Sequence, residues 1–166
     1  MTGVSMELKV GDAPDVLARL LAAAGDLTPA LKNIGDHVAQ STKKRIAEGV
    51  SPDGKPFAPL NPLYAETKKG AGILRGESGD LASIVWQLAG DDTVEIGNNV
   101  IYGAIHQFGG VIKAKNAPAM IFSMGGEHFA VKSVFIPARP YLGVSQEDEA
   151  EIIAIVADHF DAETYH

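Results

Sequence analysis

Between Thr28-Pro29 and Gly49, the residues Leu31, Ile34, Val38, Thr42 and Ile46 recur every three or four positions. That is the period of an α-helix. Proline is tolerated in a first helical turn and glycine readily ends a helix, so the boundaries read as Thr28 and Gly49. A helix of about 20 residues is about 30 Å long, which makes it the longest element the chain predicts. Its apolar stripe needs cover along that whole length, so other elements must pack beside it. Lys43, Lys44 and Arg45 crowd its last turns, where the macrodipole favours cations, and they read first as a helix-end feature. His37, beside Asp36 and Val38, reads as facing solvent or a partner helix.

The flanking segments supply candidates for that cover. Met6 to Val10 alternates like a short strand; Asp12 and Pro14 then open a helix with Val16, Leu17, Leu20, Leu21 and Ala24 on one face and Gly25 as its stop. Residues 50–72 are dense in turn formers: Ser51 to Pro56, then Pro59 and Pro62. Phe57, Leu60, Leu63 and Tyr64 give this stretch anchors, so it reads as an irregular arm packed on its own core or on a neighbouring copy. Leu81 to Leu88 reads as a strand, with Ile84, Trp86 and Leu88 alternating with Ser83, Val85 and Gln87. It turns at Gly90-Asp91-Asp92 and returns as Thr93 to Ile96. Met120 to Ser123 and Phe129 to Ile136, joined through Gly125-Gly126, read as a second, projecting hairpin. Ser145 caps a last helix, with Asp148 in the capping-box position and Ile152, Ile153, Val156 and Phe160 as its apolar face.

The expected class is α+β: an antiparallel sheet built from hairpins, packed against a long N-terminal helix and a C-terminal helix. At 166 residues the chain is expected to be one domain. Its parts are a helical region at 1–49, the arm at 50–72, the sheet with a short helix and projecting hairpin at 73–143, and an acidic helix and tail at 144–166.

Two short segments stand out. Ile101-Tyr-Gly-Ala-Ile-His-Gln-Phe-Gly-Gly110 reads as a helical turn with Ile101, Ala104, Ile105 and Phe108 on one apolar face. Gly109 and Gly110 supply a positive-φ stop, and His106 and Gln107 leave together from the end of a rigid element. Ile136-Pro-Ala-Arg-Pro-Tyr-Leu-Gly143 holds Arg139 between Pro137 and Pro140. An arginine on so stiff a backbone suits a salt bridge or the capping of carbonyl groups.

Several function classes drop out. Without cysteine there is no disulfide and no thiolate metal site. No apolar run approaches the length of a membrane span, and the N-terminus lacks the pattern of a secretory signal, so a cytoplasmic location is the default expectation. The net charge is −7, yet residues 1–139 carry 14 residues of each sign. The whole excess lies in Glu147, Asp148, Glu149, Glu151, Asp158, Asp161 and Glu163. A solvated helix face and an acidic docking surface both fit it, and specific DNA binding is disfavoured.

His37, His128, His159 and His166 show no zinc-ligand spacing, so no metal site and no cofactor are expected. Gly70-Ala71-Gly72 and Gly125-Gly126 lack the phosphate-loop patterns. His106 leaves two readings open. In one, His106 and Gln107 bridge backbone groups at a helix end or a subunit contact. In the other, His106 is the general acid/base of a small hydrolase or lyase, with a carboxylate such as Glu95. A third reading is a nucleic-acid accessory built on Lys43, Lys44, Arg45, Lys68 and Lys69.

Taken in order, these stations resemble the phage virion morphogenesis family, the tail completion proteins of Mu-like and P2-like phages and prophages. The resemblance runs over residues 28–160: Ser51 to Leu60, Ile73 to Leu81, Val94 to Gly97, Tyr102 to Gly110 and Ile136 to Gly143. It is weakest from Val111 to Val134. It implies a structural protein, not an enzyme, which forms a ring at the head–tail junction and helps join tail to head. Implied partners are further copies of the chain, with sixfold symmetry as the expectation, together with tail tube or terminator and head connector proteins. DNA would pass through such a ring without specific contacts, and no membrane is involved. The implied location is the virion neck or tail, and the host cytoplasm during assembly. Tyr102, His106, Gln107, Phe108, Gly109, Gly110, Pro137, Arg139, Pro140 and Tyr141 are then expected to form a structural or subunit-interface motif. The acidic segment would dock a basic surface or line the channel.

Overall fold

The computed structural model describes residues 25–165. The expected strand at Met6 to Val10, the helix opened by Asp12 and Pro14, and His166 lie outside the described residues. Helix α1 spans Thr28–Glu48 and ends on Gly49, as its apolar period predicts. Helix α4 spans Gln146–Tyr165. The two run antiparallel: Arg45 near the end of α1 meets Asp148 in the first turn of α4, and Asp26 feels the charge of His159 at the other end. A hairpin of β1 (Val85–Leu88) and β2 (Val94–Gly97) packs on a different face of α1. The core lies between these layers, built from Ala39, Ile46, Phe57, Leu74, Leu81, Ile84 and Tyr141. The class is α+β, with antiparallel hairpins packed against an N-terminal and a C-terminal helix.

Helix and hairpin approach closely because Gly35 has no side chain. A Cβ there would sit 2.5 Å from the Trp86 ring. The indole therefore lies on the helix backbone, and its Nε1 donates to Asp36 Oδ1 at 2.7 Å.

Four expectations need correction. First, the strand begins at Val85: Asp80–Ala82 forms a 3-10 turn that drives Leu81 and Ile84 into the core. Second, the arm is not wholly irregular. Asn61 caps a short helix α2 (Pro62–Thr67), accepting from Leu63 N at 3.0 Å, and Pro62 opens its first turn. Phe57 enters the chain's own core. Third, Phe129 to Ile136 is two strands. β5 (Glu127–Val131) pairs with β4 (Met120–Met124), while β6 (Ser133–Ile136) pairs with a strand β3 at Gly110–Lys113. The inward residues change phase between them, from Phe129 and Val131 to Val134 and Ile136, and the break falls at Lys132. The strands form three two-stranded ladders. The tip of β4–β5 also returns to the arm: Gly125 N donates to Thr67 Oγ1 at 3.4 Å, and Gly125 lies against Leu63. Fourth, Ile153 points outward, and Ile155 takes its place on the half-buried side of α4.

Candidate functional site

Helix α3 (Gly103–Phe108) joins the first hairpin to β3. It stops at Gly109, whose φ is 68°. A Cβ there would lie 2.6 Å from Ala138 N and 3.0 Å from Ile136 O, so the Gly-Gly corner and the Pro-Ala-Arg-Pro run touch backbone to backbone. Four hydrogen bonds lock them. Arg139 N donates to His106 O at 2.7 Å. Gln107 Oε1 accepts from Tyr141 N and Leu142 N, both at 3.0 Å, and Gln107 Nε2 donates to Leu142 O at 2.9 Å. One side-chain amide thus satisfies three main-chain groups, as a neighbouring strand would.

Arg139 is buried and caps carbonyls instead of forming a salt bridge. Nε donates to Ala58 O at 2.7 Å and an Nη to Pro59 O at 2.8 Å, which fastens the arm to the corner. Burial lowers its pKa from the usual guanidinium value. Tyr141 is fully buried, burial raises its pKa, and its hydroxyl accepts from Asn98 Nδ2 at 3.4 Å. Pro137 lines a cleft and Pro140 is exposed.

The same run reaches a buried ionic node. Arg45 donates to Gly143 O at 2.7 Å, to Thr42 Oγ1 at 3.0 Å, to Ser41 Oγ at 2.8 Å and to Asp148 Oδ2 at 2.5 Å. His37 Nε2 lies 3.0 Å from the other oxygen of Asp148. Asp148 also accepts from Ser145 N at 2.9 Å, and Ser145 Oγ accepts from Asp148 N at 3.1 Å, which completes the capping box. Burial by itself would raise the Asp148 pKa; hydrogen bonds from Ser41, the Ser145 backbone and Arg45 outweigh it and hold the carboxyl well below the usual range. Two residues read from sequence as surface features, Arg45 and Asp148, are therefore the central ion pair.

A cleft of about 630 Å³ opens between the arm, α3 and the two later ladders. Leu60, Tyr64, Ile112, Phe122, Val134 and His106 are among its lining residues. The His106 ring meets Tyr102 edge-on, with centroids 6.0 Å apart. Its Nδ1 is buried without a hydrogen-bond partner, and burial, then the charge of Arg139, lowers its pKa. The side chain of His106 therefore does not bridge backbone groups; Gln107 does so without it.

The acid/base reading fails on the same geometry. Glu95 sits on β2 and accepts from Gln87 Nε2 at 2.9 Å. Ser78 and Asp80 line the cleft but bond to each other at 2.7 Å, not to His106. A general base needs a hydrogen bond to its nucleophile and an orienting partner, and His106 has neither. Among the described residues no group of three or more His, Asp or Glu is placed to hold a metal ion. No described helix is long and apolar enough to cross a membrane. Of the five basic residues of the nucleic-acid reading, Lys43 is exposed and the other four are engaged within the fold. Arg45 is buried; Lys44 pairs with Glu48, Lys69 with Glu77, and Lys68 Nζ caps the carbonyls of Lys69, Gly70 and Arg75.

The sequence model of the phage virion morphogenesis family matches residues 8–161, which include both locked segments and the ionic node. The chain belongs to this family. Among its relatives is the Mu-like prophage FluMu G protein 2 of Haemophilus influenzae, 26% identical over 158 residues, covering 93% of this chain and 96% of that protein. Protein G of Escherichia phage Mu, which is named for capsid assembly, is 28% identical over 127 residues, covering 74% and 72% of the two chains. No solved structure matches the chain at a significant level. The role of this virion morphogenesis protein, at the level of its family, is in building the phage particle and its tail.

For a family member with that role, the outward residues matter as much as the locked ones. The apolar face expected of α3 is split: Ile101 is 99% exposed and Phe108 78%, Ala104 is exposed too, and Ile105 is half-buried beside Gly110. Phe135 on β6 is 69% exposed, and Ile121 on β4 is also exposed.

Proposed function

We propose that this family member is a tail completion protein, a ring-forming component of the neck that helps join tail to head. The observation that supports it most is the combination just described. Ile101, Phe108 and Phe135 stand in solvent on elements whose backbones are pinned by Gln107 and Arg139. A rigid apolar surface of this kind suits a subunit that meets its neighbours in a fixed geometry, since little ordering entropy is lost on contact. Its partners are further copies of itself, a tail tube or terminator protein and a head connector. Its place is the virion neck, reached after assembly in the host cytoplasm, and residues 1–166 act as one unit. We read Tyr102 to Gly110 and Pro137 to Tyr141 as the motif that positions this surface.

Electron microscopy of particles made without the gene tests the reading. Full heads and separate, unjoined tails are expected, with a tagged copy restoring joining and lying at the neck. Failure to form heads at all would overturn it in favour of capsid assembly, the reading that the name of the phage Mu relative favours.

A further inference from the structure

The β3–β6 ladder has a face that no other described element covers. Val111 and Phe135 are directly opposed in its register, so their side chains share one side, and both are exposed. Lys113 lies two residues beyond Val111 on the same side. Lys115 is exposed at that end of the ladder; Lys132, opposite Ala114 and next to Ser133, belongs to the other side, with Ile112 and Val134. Between Ile96 and Gln146 the single acidic residue is Glu127. Among the described residues neither Lys113 nor Lys115 is in an ion pair. The face is apolar with a basic end.

Helix α4 presents the complement. Ile153 is 70% exposed, on the side turned away from the core. Glu147, Glu149, Glu151, Asp158 and Asp161 are exposed along the helix, and none of them is in an ion pair among the described residues.

We infer that the outer face of α4 in one copy seats on the β3–β6 face of the next, with Ile153 against the Val111–Phe135 pair and the α4 carboxylates against Lys113 and Lys115. This contact rests on the ring reading above and names the two surfaces that build the ring. Charge selects the occupant. Two ladder faces brought together would oppose lysine to lysine, and two α4 faces would oppose acid to acid; only ladder against helix pairs opposite signs. The two surfaces belong to different elements, so the contact is heterologous and repeats from copy to copy until it closes.

Sedimentation equilibrium and native mass spectrometry on the full chain test the contact with Phe135→Asp and Ile153→Asp. Both positions are exposed, so each variant is expected to melt like the wild type. The wild type is expected to form species larger than a dimer, weakened by added salt. Each variant alone is expected to associate roughly tenfold or more weakly. Mixed in equal amounts, the two variants are expected to form a heterodimer and nothing larger, because the mixture keeps one good helix face and one good ladder face. Phe135→Leu is expected to associate like the wild type. If Phe135→Asp melts early, the Lys113→Glu/Lys115→Glu double variant takes its place with the same expected loss. An oligomer that persists unchanged in both Asp variants overturns this interface and leaves the ring reading standing. A wild type that stays monomeric at every concentration overturns the interface outright, while the neck reading is then decided by the particle microscopy.

Discussion

Gln107 and His106 are neighbours with similar hydrogen-bonding capacity, and the fold uses them in different ways. Gln107 faces the 136–143 run, and its amide offers the acceptor and donor that Tyr141 and Leu142 need. A buried main-chain group left unpaired costs about 1–3 kcal/mol, so Gln107→Leu is expected to lower stability by on the order of 3 kcal/mol in urea denaturation. An unchanged midpoint would mean water replaces the amide. Removing one member of the Arg45–Asp148 pair strands the other, so Asp148→Asn is expected to cost about 3–5 kcal/mol. The pH dependence has a definite sign. The folded-state pKa of Asp148 lies below its ordinary value of 3.8, so the unfolded chain takes up this proton first. The stability that Asp148 contributes is complete above about pH 4 and is lost as the pH falls below 3.8 toward its folded value. Melting temperatures of wild type and Asp148→Asn are expected to converge as the pH drops through that window. A constant gap would assign the acid loss to other carboxylates.

Elements with a long period or a complete cap were legible; elements set by contact were not. Helix α1 follows from its stripe, and the start of α4 from the Ser145–Asp148 box. β3 carries no cap and no clear alternation, and it exists because Gly109 lets the chain turn against Ala138 and enter a ladder with β6. Gly109→Val is therefore expected to give insoluble or unfolded protein, since both its φ and its space exclude a side chain; a folded variant by circular dichroism would contradict the corner described here. Gly35 makes the subtler case. Alanine is the better helix former by about 1 kcal/mol, so propensity alone predicts that Gly35→Ala stabilises α1. The Trp86 ring 2.5 Å from the new methyl must move, which costs about 1–3 kcal/mol, so a net loss is expected together with a shift in tryptophan fluorescence. A more stable variant with unchanged fluorescence would show that helix and hairpin separate easily.

At the scale of the molecule, Arg139 decides where the arm goes. Its guanidinium holds the Ala58 and Pro59 carbonyls, and α2, which follows, meets the tip of β4–β5. Arg139→Ala is expected to free this stretch, so that limited proteolysis cuts between residues 58 and 70 well before the rest of the chain. A digestion pattern identical to the wild type would mean that Phe57 and the tip of β4–β5 suffice to hold it.

The sequence alone was enough for the α+β class, the long helix, the first hairpin, the capped C-terminal helix and the family, because periodicity, caps and ordered motifs are local properties of a chain. It singled out Gln107 and Arg139 but left each with two readings, Arg139 as salt bridge or carbonyl cap and Gln107, together with His106, as a backbone bridge or a subunit contact. The tertiary structure alone decided that Arg45 and Asp148, 103 residues apart, form a buried pair, that β6 leaves β5 for β3, and that Ile101 and Phe108 look outward. Which side of an apolar or charged element is covered depends on what lies across from it, and that is a property of packing between distant segments.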